Sequence, residues 1–514
     1  MTQQTGSTLA AQSQQTQDSL LDSIVRELEV SDSRYEAAER SYKSVGEWLN
    51  RPESMLKPYQ PDVYVQGSFA LGTAIRPLSE DEDYDVDAVC ELKRRTKSQV
   101  SQATLKQELG RELTVYAESK GMRSPKSKPR CWTLNYADGV QFHLDALPAL
   151  FDGTMQRLLL ERAGLVASWS DHAIAITDEN HWAYELIHDE WPTSNPKGYA
   201  LWFRSRMAVL FDARRKSLAL EARAQVHEIP EYRVKTPLQR AIQLLKRHRD
   251  VRFADRPDEK PISIIITTLA AKAYNNETTL TDALLNVLTG MDQHIKSRGD
   301  VTWIENPADP RENFADKWHA QPGLEAAFYE WLSAAREDFG YLNDSSNRKA
   351  LIERFVPLLG ERAVGRAAKN LGIGSILPSK IVNLFRARHK QTPPWRFDPS
   401  ARVNIARAVI SQNGYRPTEF RSNGQALPKK APLRFEARTD VPAPFDVYWQ
   451  VVNTGAEAGN AGQLRGGFDQ GLIERGAITR RETTSYTGTH TIECFIVKNS
   501  LLVARSGPFV VNIA

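Results

Sequence analysis

Carboxylates on alternate residues of an apolar run are the feature of this sequence with the clearest chemical use. Asp85 and Asp87 lie in YDVDAVCEL, and Asp145 lies in FHLDALPAL. Side chains alternate between the faces of a strand, so Asp85 and Asp87 project together while Val86 projects to the other side. Acids that converge from two strands repel each other unless a cation lies between them, and hard oxygen ligands suit Mg²⁺. The pattern predicts a site where two metal ions assist phosphoryl transfer.

A tight turn at Gly67-Ser68 precedes the acids by roughly 17 residues. Glycine permits a turn whose backbone N–H groups point at an anion, and the Ser68 hydroxyl adds a donor. The segment after the turn is expected to begin a helix, whose N-terminus also favours phosphate. Taken alone, the acidic stretch DEDYDVD fits a solvated loop equally well. Together, a phosphate cradle and a metal site predict that a nucleoside triphosphate binds here.

Short strands are predicted to position these residues. The segments DVYVQ and YDVDAVCEL flank the turn as strands, and a charged helix follows through about Lys120. Two alternating runs around Asp138-Gly139 predict a hairpin, because Asp-Gly is a strong hairpin signal. The second strand of the hairpin is expected to end at Asp145, with His143 on the same face. The face of this strand that carries His143 and Asp145 should therefore open onto a cavity or solvent.

Before the strands, apolar residues recur every seven residues, and this spacing predicts one long helix over residues 18–49. The helix either braces its own domain or forms an intermolecular coiled coil, and Ser31 interrupts the apolar seam. From about 155 to 385, apolar residues recur at helical spacing, and after about 395 the pattern changes to β-branched alternation. The predicted divisions are a disordered tail (1–17), a catalytic lobe with the long helix (18–155), a helical lobe (156–395), a linker (396–424) and a β-rich domain (425–514).

Bulk composition excludes several classes of protein. The chain has 514 residues, of which 41% are hydrophobic and 25% charged, and it contains no apolar run long enough to cross a membrane. Cys90, Cys131 and Cys494 lie far apart, so neither a zinc site nor a disulfide framework is expected. A net charge of +4 does not argue for wrapping duplex nucleic acid. The expected location is the cytoplasm, with no membrane partner.

The ordered motifs Gly67-Ser68, Asp85-x-Asp87 and the Asp145 segment resemble the polymerase β-like nucleotidyltransferase core. More narrowly, the chain resembles the CD-NTase family, the bacterial relatives of cyclic GMP-AMP synthase and oligoadenylate synthetases. The segments NPKGYALWF, LLKRHRD, KPISIIITTLAA and NPADPRENFADKW extend the resemblance over roughly residues 20–385. The implied fold class is α+β, with a mixed-sheet catalytic lobe, a helical lobe and a C-terminal domain resembling a β-sandwich.

The resemblance implies that Lys246 and Ser263 contact the donor triphosphate, together with Gly67 and Ser68. A lysine ammonium suits the β- and γ-phosphates, and a serine hydroxyl is a neutral donor beside it. The alternatives are that Lys246 is a solvated cation on a basic helix and that Ser263 caps a helix. Arg249 could also reach phosphate. Asp85 and Asp87 are expected to hold one Mg²⁺, and the same pair with Asp145 a second, with Mn²⁺ as an alternative ion.

The region from about 425, with YWQVVNTGAEA, LRGGF and YTGTHTIECFIV, resembles the sensor domain associated with adenylyl/guanylyl cyclases and SMODS nucleotidyltransferases. A plain β-sandwich packing module explains these motifs equally well. The Cys/His zinc insertion by which the animal enzyme engages duplex DNA has no counterpart in the sequence. Direct sensing of duplex DNA is therefore not expected.

The implied function is untemplated synthesis of a short nucleotide second messenger from ATP and other NTPs or dNTPs. In the family such signals switch on a co-encoded effector in anti-phage defence. A cyclic di- or trinucleotide containing adenine is favoured, because ring closure is the simplest stop for an untemplated site. A linear oligonucleotide or oligodeoxynucleotide polymerase, a toxin or antitoxin that modifies protein or tRNA, and a silent binding module remain alternatives. The sequence leaves the oligomeric state open.

Overall fold

The structure is a computed structural model. The chain divides into two compact units, Met1–Arg336 and Glu337–Ala514. The residues that it describes are 17–78, 84–136, 142–343, 348–373, 387, 389–391, 393–397, 401–412, 415–422, 424–453, 456–474 and 477–514. The predicted Asp138-Gly139 turn and residues 1–16 of the predicted tail lie outside the described residues.

A mixed sheet forms the centre of the first unit. Its strand order is β1-β2-β5-β4-β3, with β6 paired to β5 and β7 paired to β6. Strands β2 and β5 run parallel, whereas the β1-β2 and β4-β5 pairs are antiparallel. The strands are β1 (Pro61–Val65), β2 (Tyr84–Leu92), β3 (Lys126–Ser127), β4 (Trp132–Tyr136), β5 (Phe142–Phe151), β6 (Ile174–Ile176) and β7 (Thr193–Ser194).

The central strands owe their stability to a shared apolar face. Val86 on β2 and Leu144 on β5 have no exposed surface and lie in one core cluster, as the alternation of apolar residues predicts. The hairpin of β4 and β5 is confirmed by its antiparallel register. The expectation that its second strand ends at Asp145 is wrong, since β5 continues to Phe151 and pairs there with β6. Asp145 therefore lies in mid-strand, where neighbours on both sides fix its position.

Helices make up most of the rest of the first unit. They are α1 (residues 17–28), α2 (Asp32–Leu49), α3 (Gly67–Ala70), α4 (Gln102–Ser119), α5 (Gly153–Arg162), α6 (Pro196–Ala222), α7 (Pro237–Arg252), α8 (Ser263–Ala273), α9 (Leu280–Gly290), α10 (Asp316–Ala320) and α11 (Pro322–Gly340). Two short strand pairs, β8 (Lys296–Arg298) with β9 (Val301–Trp303) and β10 (Glu305–Asn306) with β11 (Asp309–Asn313), lie within this helical region.

The N-terminal helix is broken, contrary to the prediction of one helix over residues 18–49. Residues 29–31 are non-helical, and Glu29 forms an isolated antiparallel bridge with Ile75. The backbone N–H of Arg76 donates to the carbonyl of Leu28 at 2.8 Å. A tertiary contact with the segment after α3 therefore replaces the helical hydrogen bonds at this point, and Ser31 is the N-cap of the second helix.

The second unit combines helices with a β-sandwich. Its helical elements are the end of α11, α12 (Arg348–Leu359), α13 (Glu361–Asn370) and α14 (Ala456–Asn460). One sheet has the order β14-β13-β15-β19-β18, and the other has β12-β21-β20-β16-β17 with β22 beside β20. The strands are β12 (Arg396–Phe397), β13 (Val403–Ile410), β14 (Thr418–Glu419), β15 (Pro432–Thr439), β16 (Asp446–Asn453), β17 (Phe468–Gln470), β18 (Leu472–Glu474), β19 (Ala477–Thr483), β20 (Gly488–Lys498), β21 (Leu501–Arg505) and β22 (Phe509–Ile513).

The segment 396–424, which the sequence predicts as a linker, contains part of the sandwich. Strand β13 pairs with β15 along its length, and Val403 and Ile410 contribute to the core between the sheets. The Pro and Gly residues that suggested a linker instead punctuate the first strands of this unit. The architecture as a whole is α+β, as predicted. None of the helices that the structure describes is both long and apolar enough to cross a membrane.

Candidate active site

The three predicted carboxylates lie side by side on two neighbouring strands. In the parallel register of β2 and β5, Asp87 lies opposite Asp145 and Asp85 lies opposite His143. The intervening Val86 and Leu144 point into the core, so strand alternation places the acids on the other face. The predicted common acidic face is therefore present. It follows from the buried apolar residues, which fix the register of both strands.

The Gly67 turn packs directly against this acidic face. Gly67 has a φ of +63°, and a Cβ atom there would lie 2.7 Å from Oδ2 of Asp87. The backbone N–H of Gln66 donates to the carbonyl of Asp87 at 2.8 Å. Glycine is required both for the backbone conformation and for the close approach. The helix that follows, α3, has only four residues, so the helix predicted after the turn is present but short.

Lys246 is the most deeply buried cation of the site. It lies on α7 with 4% of its surface exposed, and its Nζ donates to the carbonyl and the hydroxyl of Thr73 at 3.2 and 3.1 Å. Burial, and then the charge of Arg249, lower the pKa of Lys246 to about 7. The reading of Lys246 as a solvated surface cation is therefore wrong. An anion bound nearby would raise this pKa again by favouring the charged form.

Ser263 and Arg249 are joined to each other. Ser263 is the first residue of α8, and its hydroxyl accepts a hydrogen bond from Nη1 of Arg249 at 2.9 Å. The same guanidinium donates to the carbonyl of Pro261 at 2.9 Å and pairs with Asp250 at 2.7 Å. The cap residue of α8 is Ile262, so Ser263 is not the N-cap of the helix. Arg249 fixes Ser263 at the start of the helix.

One cavity of about 440 Å³ brings the separate elements together. Six of the seven predicted site residues line this cavity. Ala74 also lines it, and its neighbour Thr73 accepts a hydrogen bond from Lys246. Asp145 does not line the cavity but lies beside Asp87 on the next strand. The predicted residues in the lining are Gly67, Ser68, Asp85, Asp87, Lys246 and Ser263.

Two partners of Asp145 escaped the sequence analysis. Lys128 Nζ lies 2.8 Å from Oδ2 of Asp145, and the Thr133 hydroxyl donates to Oδ1 at 2.5 Å. Burial alone would lower the pKa of Lys128. The hydrogen bond to Asp145 and the charge of that carboxylate outweigh burial and raise the pKa of Lys128 above its ordinary value. The hairpin register that pairs Thr133 with Asp145 is the signal that could have identified Thr133. Lys128 follows β3 in the chain and carries no such signal.

The acidic face is electrostatically strained. Burial, followed by the charges of Asp145 and Asp85, raises the pKa of Asp87 to about 6, and Lys128 partly offsets this increase. A carboxyl whose pKa rises in this way is poorly solvated and close to other negative charges. A divalent cation on this face would relieve both costs.

The donor set fits a hard divalent cation by its chemistry. It offers carboxylate oxygens from adjacent strands, and burial together with their mutual repulsion raises the pKa of Asp87. Within the described ranges, no group of three or more Asp, Glu, His or Cys side chains is already arranged to hold a metal ion. The ammonium of Lys128 instead neutralises Asp145. The carboxylates would have to turn toward a cation for all three to contact it.

Comparisons with known proteins match both units. Residues 61–148 match the family described as "Cyclic GMP-AMP synthase DncV-like, nucleotidyltransferase domain". Residues 385–514 match the family described as "Adenylyl/Guanylyl and SMODS C-terminal sensor domain". The predicted resemblance of the C-terminal region is confirmed, and the match begins upstream of β13, in agreement with the place of β13 in the sandwich.

Two curated relatives each match 59% of this chain. The c-di-GMP synthase of Roseivirga ehrenbergii is 31% identical over 310 residues, which are 59% of this chain and 74% of the relative. The cyclic dinucleotide synthase CdnG of Bradyrhizobium diazoefficiens is 26% identical over 319 residues, which are 59% of this chain and 70% of the relative.

A solved structure supports the fold. The structure of Bradyrhizobium diazoefficiens CD-NTase CdnG in complex with GTP superposes with a TM-score of 0.53 at 20% sequence identity, covering 69% of this chain and 99% of that one. The match to the nucleotidyltransferase domain model and the 31% identity to the c-di-GMP synthase show that the chain is a nucleotidyltransferase that belongs to the CD-NTase family.

Proposed function

We propose that the chain joins nucleoside triphosphates, with GTP among them, into a cyclic dinucleotide that acts as a second messenger. The observation that carries this proposal is the convergence of the acidic face, the Gly67 turn and Lys246 on one cavity. The names of both curated relatives specify cyclic dinucleotide synthesis, and one specifies c-di-GMP. They favour guanine over the adenine that the sequence analysis preferred. As in the family, the product would activate a co-encoded effector in anti-phage defence.

The donor nucleotide would lie with its triphosphate between α3, α7 and α8. Backbone N–H groups at Gly67-Ser68 and the Ser68 hydroxyl would donate to phosphate oxygens. Lys246 would leave Thr73 or share its protons with the β- and γ-phosphates, regaining full charge as it does so. Arg249 would keep the Ser263 hydroxyl at the mouth of the same cavity.

Asp85, Asp87 and Asp145 would hold divalent cations, Mg²⁺ in the first instance. When bound, such ions neutralise the triphosphate and lower the pKa of an attacking hydroxyl. The acceptor ribose hydroxyl attacks the α-phosphorus and loses its proton to solvent water, the bond to the bridging oxygen of the β-phosphate breaks, and pyrophosphate leaves. The residues of the chain contribute by positioning and by charge, and no covalent enzyme intermediate is required. A second round of the same reaction closes the ring.

The test is product analysis with the purified full-length chain. Incubation with Mg²⁺ and all four NTPs, and separately with dNTPs, should yield a product that resists phosphatase and has the mass of a cyclic dinucleotide. Asp85→Asn/Asp87→Asn is the inactive control. Products that lose phosphate and form a length ladder would identify a linear polymerase. Label attached to protein or tRNA would identify a modifying enzyme, and failure to release pyrophosphate with any nucleotide would identify a binding module.

A further inference from the structure

Lys128 holds the third carboxylate of the acidic face. Its Nζ lies 2.8 Å from Oδ2 and 3.2 Å from Oδ1 of Asp145, so the ammonium spans both oxygens. The Thr133 hydroxyl donates to Oδ1. Departure of the Lys128 ammonium would therefore leave Oδ1 held by Thr133 and would release Oδ2 to another cation.

The backbone of Lys128 is anchored, whereas its side chain reaches solvent. The Lys128 N–H donates to the carbonyl of Cys131 at 2.9 Å, and the Lys128 carbonyl accepts from the ammonium of Lys106. Lys106 is buried and pairs with Glu179 at 2.5 Å. The side chain of Lys128 is 49% exposed, against 18% for that of Asp145. A flexible four-carbon stem on a fixed backbone can therefore move its charge without disturbing the sheet.

The same ammonium acts on the whole acidic face. Its charge reaches Asp85 and Asp87 as well as Asp145. One monovalent cation therefore serves three carboxylates, and it neutralises only part of their charge. A divalent cation on this face would neutralise more of that charge, but its own charge would repel the ammonium at Asp145. The two cations therefore compete for the same carboxylate.

We propose that Lys128 is an internal counter-cation, which occupies Asp145 in the cation-free protein, leaves it when a divalent cation binds, and so weakens cation binding by the chain alone. This inference rests on the proposed function, since it requires the acidic face to hold a divalent cation. It makes Lys128 a positioning residue, because its ammonium must leave before Oδ2 of Asp145 can contact the ion. A bound triphosphate offers the displaced ammonium a new anionic partner, so nucleotide and cation should enter together.

Titration of the full-length protein with Mn²⁺ in the absence of nucleotide tests this proposal, with free Mn²⁺ measured by electron paramagnetic resonance. Lys128→Met should bind Mn²⁺ at least about tenfold more tightly than the native protein, corresponding to about 1.4 kcal/mol. Lys128→Arg keeps the competing charge and should bind no more tightly than the native protein. The matched control is Arg130→Met, which removes a positive charge from the same turn, because Arg130 pairs instead with Asp178 at 2.7 Å. This control should change Kd less than about twofold.

Two further measurements separate competition from a purely structural role. In the Asp145→Asn background, Lys128→Met should change the Mn²⁺ affinity less than about threefold, because the carboxylate for which the cations compete is gone. Lys128→Met should also lower the unfolding temperature in EDTA, and saturating Mn²⁺ should remove the difference, because the ion replaces the lost positive charge. A purely structural Lys128 would lower the unfolding temperature equally with and without Mn²⁺.

Mn²⁺ affinity in Lys128→Met that equals or falls below that of the native protein would overturn the proposal, as would an equal gain in Arg130→Met. Absence of Mn²⁺ binding by Lys128→Met up to about 5 mM would overturn it as well. Failure of the proposed function has a different readout, since the native protein would then release no pyrophosphate from any nucleotide, whatever the Mn²⁺ affinities of the variants.

Discussion

One charged cluster in each unit buries charge in the opposite way from the other. In the first unit, Asp87 and Asp145 lie side by side on neighbouring strands, and their repulsion contributes to the raised pKa of Asp87. In the second unit, Glu493 on β20 is paired with Arg505 on β21 at 2.6 Å, and Glu337 contacts the same guanidinium. Both members of the Glu493–Arg505 pair are almost fully buried.

The difference indicates what each cluster is for. Opposite charges that satisfy each other need no further ligand, and a buried pair of this kind holds elements in one arrangement. Like charges that lie together lower stability unless something else binds them, so a fold retains them where a ligand or reaction uses them. The acidic face thus fits a cation site, and the Glu493–Arg505 pair fits a structural role that holds β20 and β21 together within the second unit.

Removing the like charges should produce the largest effect, and on activity alone. Asp85→Asn/Asp87→Asn should reduce pyrophosphate release at least about a thousandfold, or about 4 kcal/mol in barrier, because charge neutralisation at the triphosphate is lost. The unfolding temperature should stay the same or rise. Retention of more than about one per cent of activity would contradict the assignment of these acids to the metal site.

Removing one of the opposite charges should instead lower the stability of the protein. Arg505→Met removes the guanidinium that Glu493 and Glu337 contact, and we expect a loss of about 3 kcal/mol in the free energy of unfolding, measured by chemical denaturation. Arg505→Met/Glu493→Gln is the matched control and should recover part of the loss, since it removes a buried charge. A loss below about 1 kcal/mol in the single variant would show that water reaches the pair.

The sequence predicted the site better than its surroundings. Strand β2 was predicted residue for residue, because alternation around Asp85 and Asp87 leaves one register that buries the apolar face. Thr133, one of the two partners of Asp145, depended on a hairpin register that the Asp-Gly signal does not give. A two-residue turn at Asp138-Gly139 would pair Thr133 with Leu144, whereas the structure pairs it with Asp145.

Tertiary contacts account for the errors in the fold. The apolar repeat of residues 18–49 is interrupted at Ser31, beside the break between α1 and α2, but periodicity alone could not identify the bridge between Glu29 and Ile75 that replaces the helix there. Strand β13 lies in a segment rich in turn residues, and its partner β15 begins 22 residues after β13 ends (432 minus 410). Such non-local pairing leaves little trace in local composition.

Replacing Lys246 should have an effect of intermediate size, and the property that changes should be the affinity for nucleotide. Lys246→Ala should weaken binding of a nonhydrolysable GTP analogue by about 2 kcal/mol, since a charge-assisted contact is lost, and Ser263→Ala by about 1 kcal/mol. Equilibrium titration measures both. Arg252→Ala is the matched control, because Arg252 lies on the same helix and pairs with Glu330 outside the catalytic cavity. Unchanged affinity in Lys246→Ala would restrict Lys246 to its contact with Thr73.

The smallest expected effect is a pH-dependent gain in stability when Asp87 alone is replaced. The pKa of Asp87 rises from 3.8 to about 6 in the folded chain. Between about pH 4 and 6 the folded state therefore retains a proton that the unfolded state has released. Stability of the native protein falls as the pH rises through this window and stays lower above it.

The side chain of the Asp87→Asn variant cannot titrate. In EDTA, the stability of the variant relative to the native protein should therefore rise between pH 4 and 6, and the difference should stay constant above pH 6. The full shift would correspond to about 3 kcal/mol, and the cost of burying the new amide should reduce the advantage to about 1 kcal/mol. Denaturant titrations at several pH values measure it. Adding Mg²⁺ should reverse the ranking, because the ion stabilises the native carboxylates and not the amide. If Asp87→Asn were less stable at every pH without Mg²⁺, Asp87 would be holding the Gly67 turn rather than awaiting a cation.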